Sequence, residues 1–281
     1  MSRAPDRFRP VSRARRHFLG IAAATSARAA AASALAITAL SSSAHARRGD
    51  QGDQNNQGDQ NDQGGGGPHC YLRGTAILTP TGEVRIEDLR IGDLVETVRG
   101  EAMPIKWIGR HVFRKSGSSW SESVMPIRIS RHALDARTPH ADLYLSPEHA
   151  LFIDGVLIPV RELVNGISIV PALPEGTEVI EYFQILLDSH EVILAEGAPI
   201  ETYLLRGRDY ESFTNFIEYE RLYGHEPRPA LTPFAPLVSY NGGRAHLKAL
   251  LLLGMSPFVQ VRDPVGSAYE RLATRADELV R

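Results

Sequence analysis

The sequence predicts an all-β fold for residues 70–207, because short apolar runs alternate there with turn-forming residues. The segment LFIDGVLIPV carries apolar runs on both sides of Asp154 and Gly155, a pair typical of hairpin turns. The segment ELVNGISIV repeats this pattern around Asn165 and Gly166, which predicts a second hairpin. Short strands with turn signals at this density indicate an all-β domain.

The other predicted strands fill the rest of this region. The segment TAILTPTGEVRI has strand-like runs around a Pro-Thr-Gly turn, and LRIGDLVETV follows it. The segments PIKWIGRHVF and MPIRISRHAL alternate polar and apolar residues, and EYFQILLDSHEVILAEG supplies two further strands. A region of about 135 residues is large enough to bury a compact core.

Residues 208–281 predict a mixed, partly helical extension of the β domain. The segments GGRAHLKALLLLGM and GSAYERLATRADELVR are typical of helices, and the second carries mixed charges on an exposed face. We expect this extension to pack against the β domain and to carry no chemistry of its own.

The charge of the chain is distributed unevenly. The 281 residues have a net charge of −2, but residues 1–46 hold seven arginines and one aspartate, so the remainder carries −8. An acidic body lacks the basic surface that binds phosphate backbones. The composition therefore argues against a nucleic-acid partner.

Residues 1–46 resemble a twin-arginine signal peptide. Arg15 and Arg16 stand shortly before Phe18 and Leu19, an alanine-rich run follows, and an Ala-His-Ala motif ends the segment. The alternative is a surface helix with a basic start. The resemblance implies export to the periplasm or the outside of the cell, with the twin-arginine translocation machinery as a partner.

Residues 47–69 predict a disordered linker. The run RRGDQGDQNNQGDQNDQGGGG contains only charged residues, amides and glycines, so it offers nothing to bury. Its recurring aspartates raise the alternative of a calcium-binding repeat, but such a repeat needs apolar residues in every turn. A flexible linker is the better interpretation.

Three sequence blocks after this linker resemble a Hint domain, the fold shared by Hedgehog autoprocessing domains and inteins. The first is CYLRGTAILTPTGEVRIEDLRIGDLV, which starts at Cys70. The second is LYLSPEHALFI, with Ser146 in the place of the family's threonine and His149 in the place of its histidine. The third is YFQILLDSHEVILAEG, with Asp188 and His190. The resemblance covers residues 70–207 and is greatest to bacterial Hint proteins without intein ends.

The resemblance implies self-processing at the His69–Cys70 peptide bond. Cys70 would attack the carbonyl carbon of His69 through a five-membered ring and give a thioester. His149 would supply a proton to the departing nitrogen, and Ser146 would orient the scissile peptide. His190 is a further candidate site residue, with a structural role as the alternative. The acceptor that resolves the thioester would be water, a small nucleophile or another protein.

The chain lacks the His-Asn pair that ends an intein. The corresponding segment LAEGAPIETYLLRG has no asparagine to cyclise, so complete splicing is not expected. Cys70 is the only cysteine, which excludes an internal disulfide and suits a single-use nucleophile. No cofactor is expected, and no histidine and carboxylate cluster has metal-ligand spacing. The alternative function is a catalytically silent Hint-fold module that binds a partner or serves a structural role.

Overall fold

The computed structural model describes residues 69–115, 117, 119–224, 230–239 and 263–281. The predicted signal peptide with Arg15 and Arg16, the linker up to residue 68 and the helix predicted for GGRAHLKALLLLGM lie outside these residues. Export therefore stays a prediction. In the described part of the chain, no helix is long and apolar enough to cross a membrane.

Two six-stranded antiparallel sheets and one two-stranded sheet make up the described β domain. In chain order, the strands are β1 (Tyr71–Leu72), β2 (Ala76–Thr79), β3 (Gly82–Arg85), β4 (Leu94–Glu96), β5 (Ala102–Pro104), β6 (Trp107–Arg114), β7 (Ile127–Ile129), β8 (Leu143–Leu145), β9 (Ala150–Ile153), β10 (Val156–Pro159), β11 (Ile169–Pro171), β12 (Val179–Leu186), β13 (Val192–Ala195) and β14 (Ala198–Glu201).

The first sheet has the order β11-β7-β8-β1-β12-β6, and the second has the order β10-β9-β14-β13-β2-β3. β4 and β5 form the third sheet. The short strand β1 thus lies in the middle of the first sheet, where Tyr71 is opposite Phe183 of β12 and Leu145 of β8. This position places the start of the domain at the centre of the fold.

The hairpin predicted around Asp154 and Gly155 is present. β9 and β10 pair over their full length, with Ile153 opposite Val156. Asp154 has a φ of 50° and Gly155 a φ of 88°, so both central residues adopt the left-handed conformation that such turns require. The sequence pattern located this turn correctly.

The second predicted hairpin is not present. Asn165 and Gly166 lie between a short 3-10 helix, Val160–Leu163, and strand β11. The Asn165 side-chain oxygen accepts backbone N–H groups of residues 167–169 at 3.0–3.1 Å. An asparagine that bonds to the backbone after it stabilises a turn that needs no strand before it.

Apolar side chains from both six-stranded sheets share one core. Ile129 and Leu145 come from the first sheet, Leu151 and Ile200 come from the second, and all four are fully buried. Burying a side chain of this size contributes about 1.5–3 kcal/mol relative to leaving it exposed. The predicted all-β fold is confirmed, and so is a helical element in its C-terminal extension.

The extension contains two described α-helices, α1 (Phe216–Tyr223) and α2 (Pro264–Val280). Asp263 caps the start of α2, because its carboxylate accepts the Val265 N–H at 3.0 Å, and Pro264 occupies the first turn. The buried side chains of α2 are spaced three or four residues apart and form one face, Val265, Ala268, Leu272 and Ala276.

An aromatic contact joins the start of the extension to β6. Gly109 lies directly under the Phe213 ring, and a Cβ atom at this position would lie 2.6 Å from that ring. Phe213 and Tyr219 also pack edge-on against Trp107, with ring centroids 5.2 Å apart. The glycine therefore leaves the space in which the extension packs on the sheet.

Candidate active site

The peptide nitrogen of Cys70 is held by Ser146. Its N–H donates to Ser146 Oγ at 2.7 Å, and the Ser146 N–H donates to the Cys70 carbonyl oxygen at 2.9 Å. Both residues are fully buried. The pairing of β1 with β8 produces this contact between residues that are far apart in the sequence. The structure thus brings together two of the residues named from the sequence.

The carbonyl group of His69 has a separate partner, Gln184 on β12. The Gln184 side-chain Nε2 donates to the His69 carbonyl oxygen. Its Oε1 accepts the Ile185 N–H at 2.9 Å, which fixes the amide with its nitrogen towards His69. Gln184 is 1% exposed. The peptide bond between His69 and Cys70 is therefore hydrogen-bonded at its oxygen and at its nitrogen.

His149 lies fully buried beside the same junction. Its Nε2 is 3.0 Å from the Glu201 carbonyl oxygen, and its ring contacts Tyr71 edge-on with centroids 4.4 Å apart. Because a carbonyl oxygen can only accept, Nε2 carries the hydrogen of the neutral imidazole. His149 Nδ1 then presents a lone pair, and it has no hydrogen-bond partner among the described residues.

Burial keeps both Cys70 and His149 neutral. It raises the pKa of the Cys70 thiol well above its ordinary value. It lowers the pKa of His149 from 6.5 to about 4, although the Glu201 carboxylate and the backbone oxygens of Glu201 and Cys70 act in the opposite direction. At neutral pH the site holds a thiol and a neutral imidazole, so His149 can accept a proton before it donates one.

Glu201, at the end of β14, connects several groups of the site. Its Oε1 lies 3.1 Å from His69 Nδ1 and accepts the Ala150 N–H at 3.0 Å, while its Oε2 lies 3.3 Å from His190 Nε2. Burial raises the pKa of Glu201, but hydrogen bonds from His190 and His69 lower it more, so the net pKa falls below its usual range. Glu201 is therefore a buried carboxylate surrounded by histidines.

The tautomer of His190 is fixed by the C-terminal extension. The Phe234 N–H donates to His190 Nδ1 at 2.9 Å, so the hydrogen of the neutral ring is on Nε2, which faces Glu201. The extension was expected only to pack, but its backbone also supports the site. Asp188 lies elsewhere, since its carboxylate pairs with Lys106 Nζ at 2.8 Å near the surface.

Sequence reasoning did not identify Gln184 or Glu201. Each is a polar residue inside an apolar strand, Gln184 in EYFQILL and Glu201 in APIET. Buried polar groups need partners, so a polar residue in a buried strand is the signal that could have located them. Their strands gave no indication of which partners they would meet.

The buried histidine makes stability depend on pH in a predictable direction. The unfolded chain takes up a proton on His149 below pH 6.5, whereas the folded chain does so only near pH 4. The free energy of unfolding should therefore fall as the pH drops from 6.5 to 4, by about 2 kcal/mol at pH 5 from this residue. Denaturant unfolding of the parent and of His149→Gln at pH 7 and pH 5 measures this contribution.

The difference between the two proteins is the test, because His111, packed between Phe113 and Phe213, also has a pKa lowered to about 4. His149→Gln cannot titrate and should lose less stability between pH 7 and pH 5 than the parent does. Equal losses in the two proteins would contradict the assignment of a neutral, buried imidazole at residue 149.

A cleft of about 90 Å³ opens beside the junction. Its lining includes His69, Glu201, Tyr203, Arg206 and Asp209. A molecule that enters this cleft contacts His69, whose carbonyl oxygen accepts the hydrogen bond from Gln184. The described residues contain no cluster of histidine, cysteine, aspartate and glutamate that could hold a metal ion.

Comparisons with known proteins found one matching family model and several similar solved structures. A family model described as "Hint domain" matches residues 69–207. An intein-like domain from Clostridium thermocellum has 13% identity and a TM-score of 0.29, with 48% of this chain and 99% of that chain covered. A DnaB intein from Synechocystis sp. PCC 6803 has 13% identity and a TM-score of 0.32, with the same coverage. Comparison with curated protein sequences found no significant match.

Proposed function

From the Hint-type domain at residues 69–207, we propose that this protein cuts its own chain at the His69–Cys70 peptide bond. Hint-type domains are capable of self-processing in general. One observation carries the specific proposal. The bond ahead of the only cysteine is held at its nitrogen by Ser146 and at its oxygen by Gln184.

The first step transfers the peptide acyl group from nitrogen to sulfur. His149 Nδ1 takes the proton of the Cys70 thiol, and the thiolate attacks the His69 carbonyl carbon. The bond from that carbon to the Cys70 nitrogen then breaks, and the nitrogen receives the proton from His149. The products are a thioester between His69 and Cys70 Sγ and a free amine on Cys70.

Gln184 can stabilise the negative charge that develops on the His69 carbonyl oxygen during this step. The His69 carbonyl oxygen becomes negative in the tetrahedral intermediate, and the Gln184 amide already donates to it. A fixed donor in a buried site stabilises such an oxyanion without having to reorganise. Ser146 holds the nitrogen side, so the peptide plane is fixed at both ends.

The second step resolves the thioester. A nucleophile attacks the carbonyl carbon of His69, and the Cys70 thiol leaves with a proton. The cleft beside His69 admits water or a small nucleophile, which would leave His69 with a free carboxylate or a new acyl bond. A protein acceptor could place a side chain in this cleft.

Cleavage by added nucleophiles tests the proposal. A thioester reacts with dithiothreitol or hydroxylamine far more readily than an amide does. With a removable domain fused ahead of residue 47, the purified protein should split at the His69–Cys70 bond when either reagent is added. Mass spectrometry should find a downstream fragment that begins with Cys70. A protein that stays whole under both conditions would contradict the proposal and favour the silent binding module.

A further inference from the structure

We infer that the domain recognises the residue before the nucleophile, and that Glu201 selects a hydrogen-bond-donating side chain at position 69. The inference rests on the proposed function, because it concerns which junctions the site accepts. From the sequence, His69 was only the residue before the predicted cleavage point. In the structure, however, both the carbonyl group and the imidazole of His69 have partners in the domain.

The contact to the imidazole is made by a buried group. Glu201 has a side chain that is 5% exposed, whereas that of His69 is 40% exposed. Among the described residues no lysine or arginine pairs with Glu201, so its compensation comes from the Ala150 N–H and from the histidines. A buried carboxylate that loses a hydrogen-bond donor destabilises the folded domain. A residue with a donating side chain at position 69 should therefore fit the site better than one without.

Glu201 also connects position 69 to the reacting groups. Its carbonyl oxygen accepts the Tyr71 hydroxyl at 2.8 Å and lies 3.0 Å from His149 Nε2. Glu201 therefore contacts His69 before the junction, Tyr71 after it, and the His149 imidazole that transfers the proton in the proposed reaction. A poor fit at position 69 shifts Glu201, and a shift of Glu201 displaces His149.

The contact defines which residues the junction accepts. Asparagine places an amide N–H near the position of the histidine Nδ1, so it should keep the hydrogen bond. Leucine has a similar size but no donor. Aspartate would bring a second carboxylate against Glu201, and two like charges in a buried site repel each other. The substrate class is thus a chain with a donor side chain directly before Cys70.

The first experiment measures dithiothreitol-induced cleavage of full-length fusion proteins that differ only at residue 69. His69→Leu should slow cleavage by about tenfold and His69→Asp by about a hundredfold, since small displacements at a reacting bond have effects of this size. His69→Asn should be slowed less than His69→Leu. Equal rates for the leucine, aspartate and parent junctions would overturn the inference.

The chain offers a matched control in His140. Its side chain is 43% exposed and its ring lies 2.6 Å from Glu83 Oε1 and 3.4 Å from Glu196 Oε2, so it pairs with glutamates away from the junction. His140→Leu should leave the cleavage rate within about twofold of the parent. A tenfold effect there would mean that loss of any histidine–glutamate pair slows the reaction, which would overturn recognition at position 69.

A second readout does not depend on cleavage. In the Cys70→Ala protein, which keeps its junction, His69→Leu should lower the thermal unfolding midpoint and His69→Asn should lower it less. The loss caused by His69→Leu should shrink when Glu201 is replaced by glutamine, because a neutral amide oxygen accepts a weaker hydrogen bond from His69 than a carboxylate does. The asparagine comparison needs no change to a buried residue, so it stands even if the Glu201 variant does not fold.

The two readouts separate the two claims. If the parent fusion does not cleave but the midpoints follow this pattern, the proposed function is wrong and the recognition of His69 by Glu201 stands. If the parent cleaves but His69→Leu changes neither rate nor midpoint, the proposed function stands and the inference is overturned.

Discussion

Cys70→Ala is expected to leave the His69–Cys70 bond intact in the presence of dithiothreitol or hydroxylamine. The variant removes the sulfur that would carry the acyl group, so no thioester can form. The residue is fully buried and its backbone makes the hydrogen bonds to Ser146, so alanine should retain the position of the junction. Mass spectrometry of the fusion protein after prolonged incubation measures the loss of cleavage.

The control for this variant is its fold. Cys70→Ala should unfold cooperatively near the midpoint of the parent, since alanine fits the same buried space with only a small loss of apolar contact. Cys70→Ser is a useful companion, because it keeps the shape but replaces the thiol by a much weaker nucleophile. Cleavage at the same bond in Cys70→Ala would identify an outside protease and refute self-processing.

His149→Ala should slow cleavage by about two to four orders of magnitude, the usual effect of losing a positioned group that transfers a proton. The neutral imidazole has its Nδ1 lone pair unpartnered among the described residues, so alanine removes a free proton acceptor beside the junction. Rate constants for hydroxylamine cleavage at pH 7 measure the effect. Ser146→Ala should have a smaller effect, because Ser146 orients the peptide and does not transfer the proton.

The matched control for His149→Ala is His132→Asn. His132 has a φ of 64°, and asparagine tolerates this left-handed backbone better than alanine does. His132 belongs to a loop outside the junction and bonds through its ring to Arg131. Its variant should cleave at the parent rate. If His149→Ala also cleaves at the parent rate, the proton passes by another route and the assigned role of His149 is wrong.

The sequence predicted the features that depend on neighbouring residues. Alternating apolar residues predicted the strands, and Asp154 and Gly155 predicted a turn, because both patterns act over a few residues. The Asn165 turn was misjudged because a side chain that bonds to its own following backbone has the same composition as a hairpin turn. Local patterns cannot distinguish these two uses of asparagine.

The partners in the candidate site could be predicted only in part. The resemblance supplied Cys70, Ser146, His149 and His190 because their spacing forms motifs. Gln184 and Glu201 meet His69 across 115 and 132 residues, and a contact of that range leaves no periodic pattern in one sequence. The Phe234 N–H is a backbone group, so it has no side-chain signature at all.

The position of β1 in the middle of the first sheet also implies that the domain folds before the proposed cleavage can occur. The junction meets Ser146 across 76 residues, Gln184 across 115 and Glu201 across 132, so each of these groups arrives only after a long loop has closed. A growing chain that has just exposed Cys70 holds the nucleophile without the groups that would activate it. The proposed attack needs these contacts, so the same bond would be inert before they form. Self-cleavage would then report that the whole domain has folded, and a chain that fails to fold would keep its N-terminal segment attached.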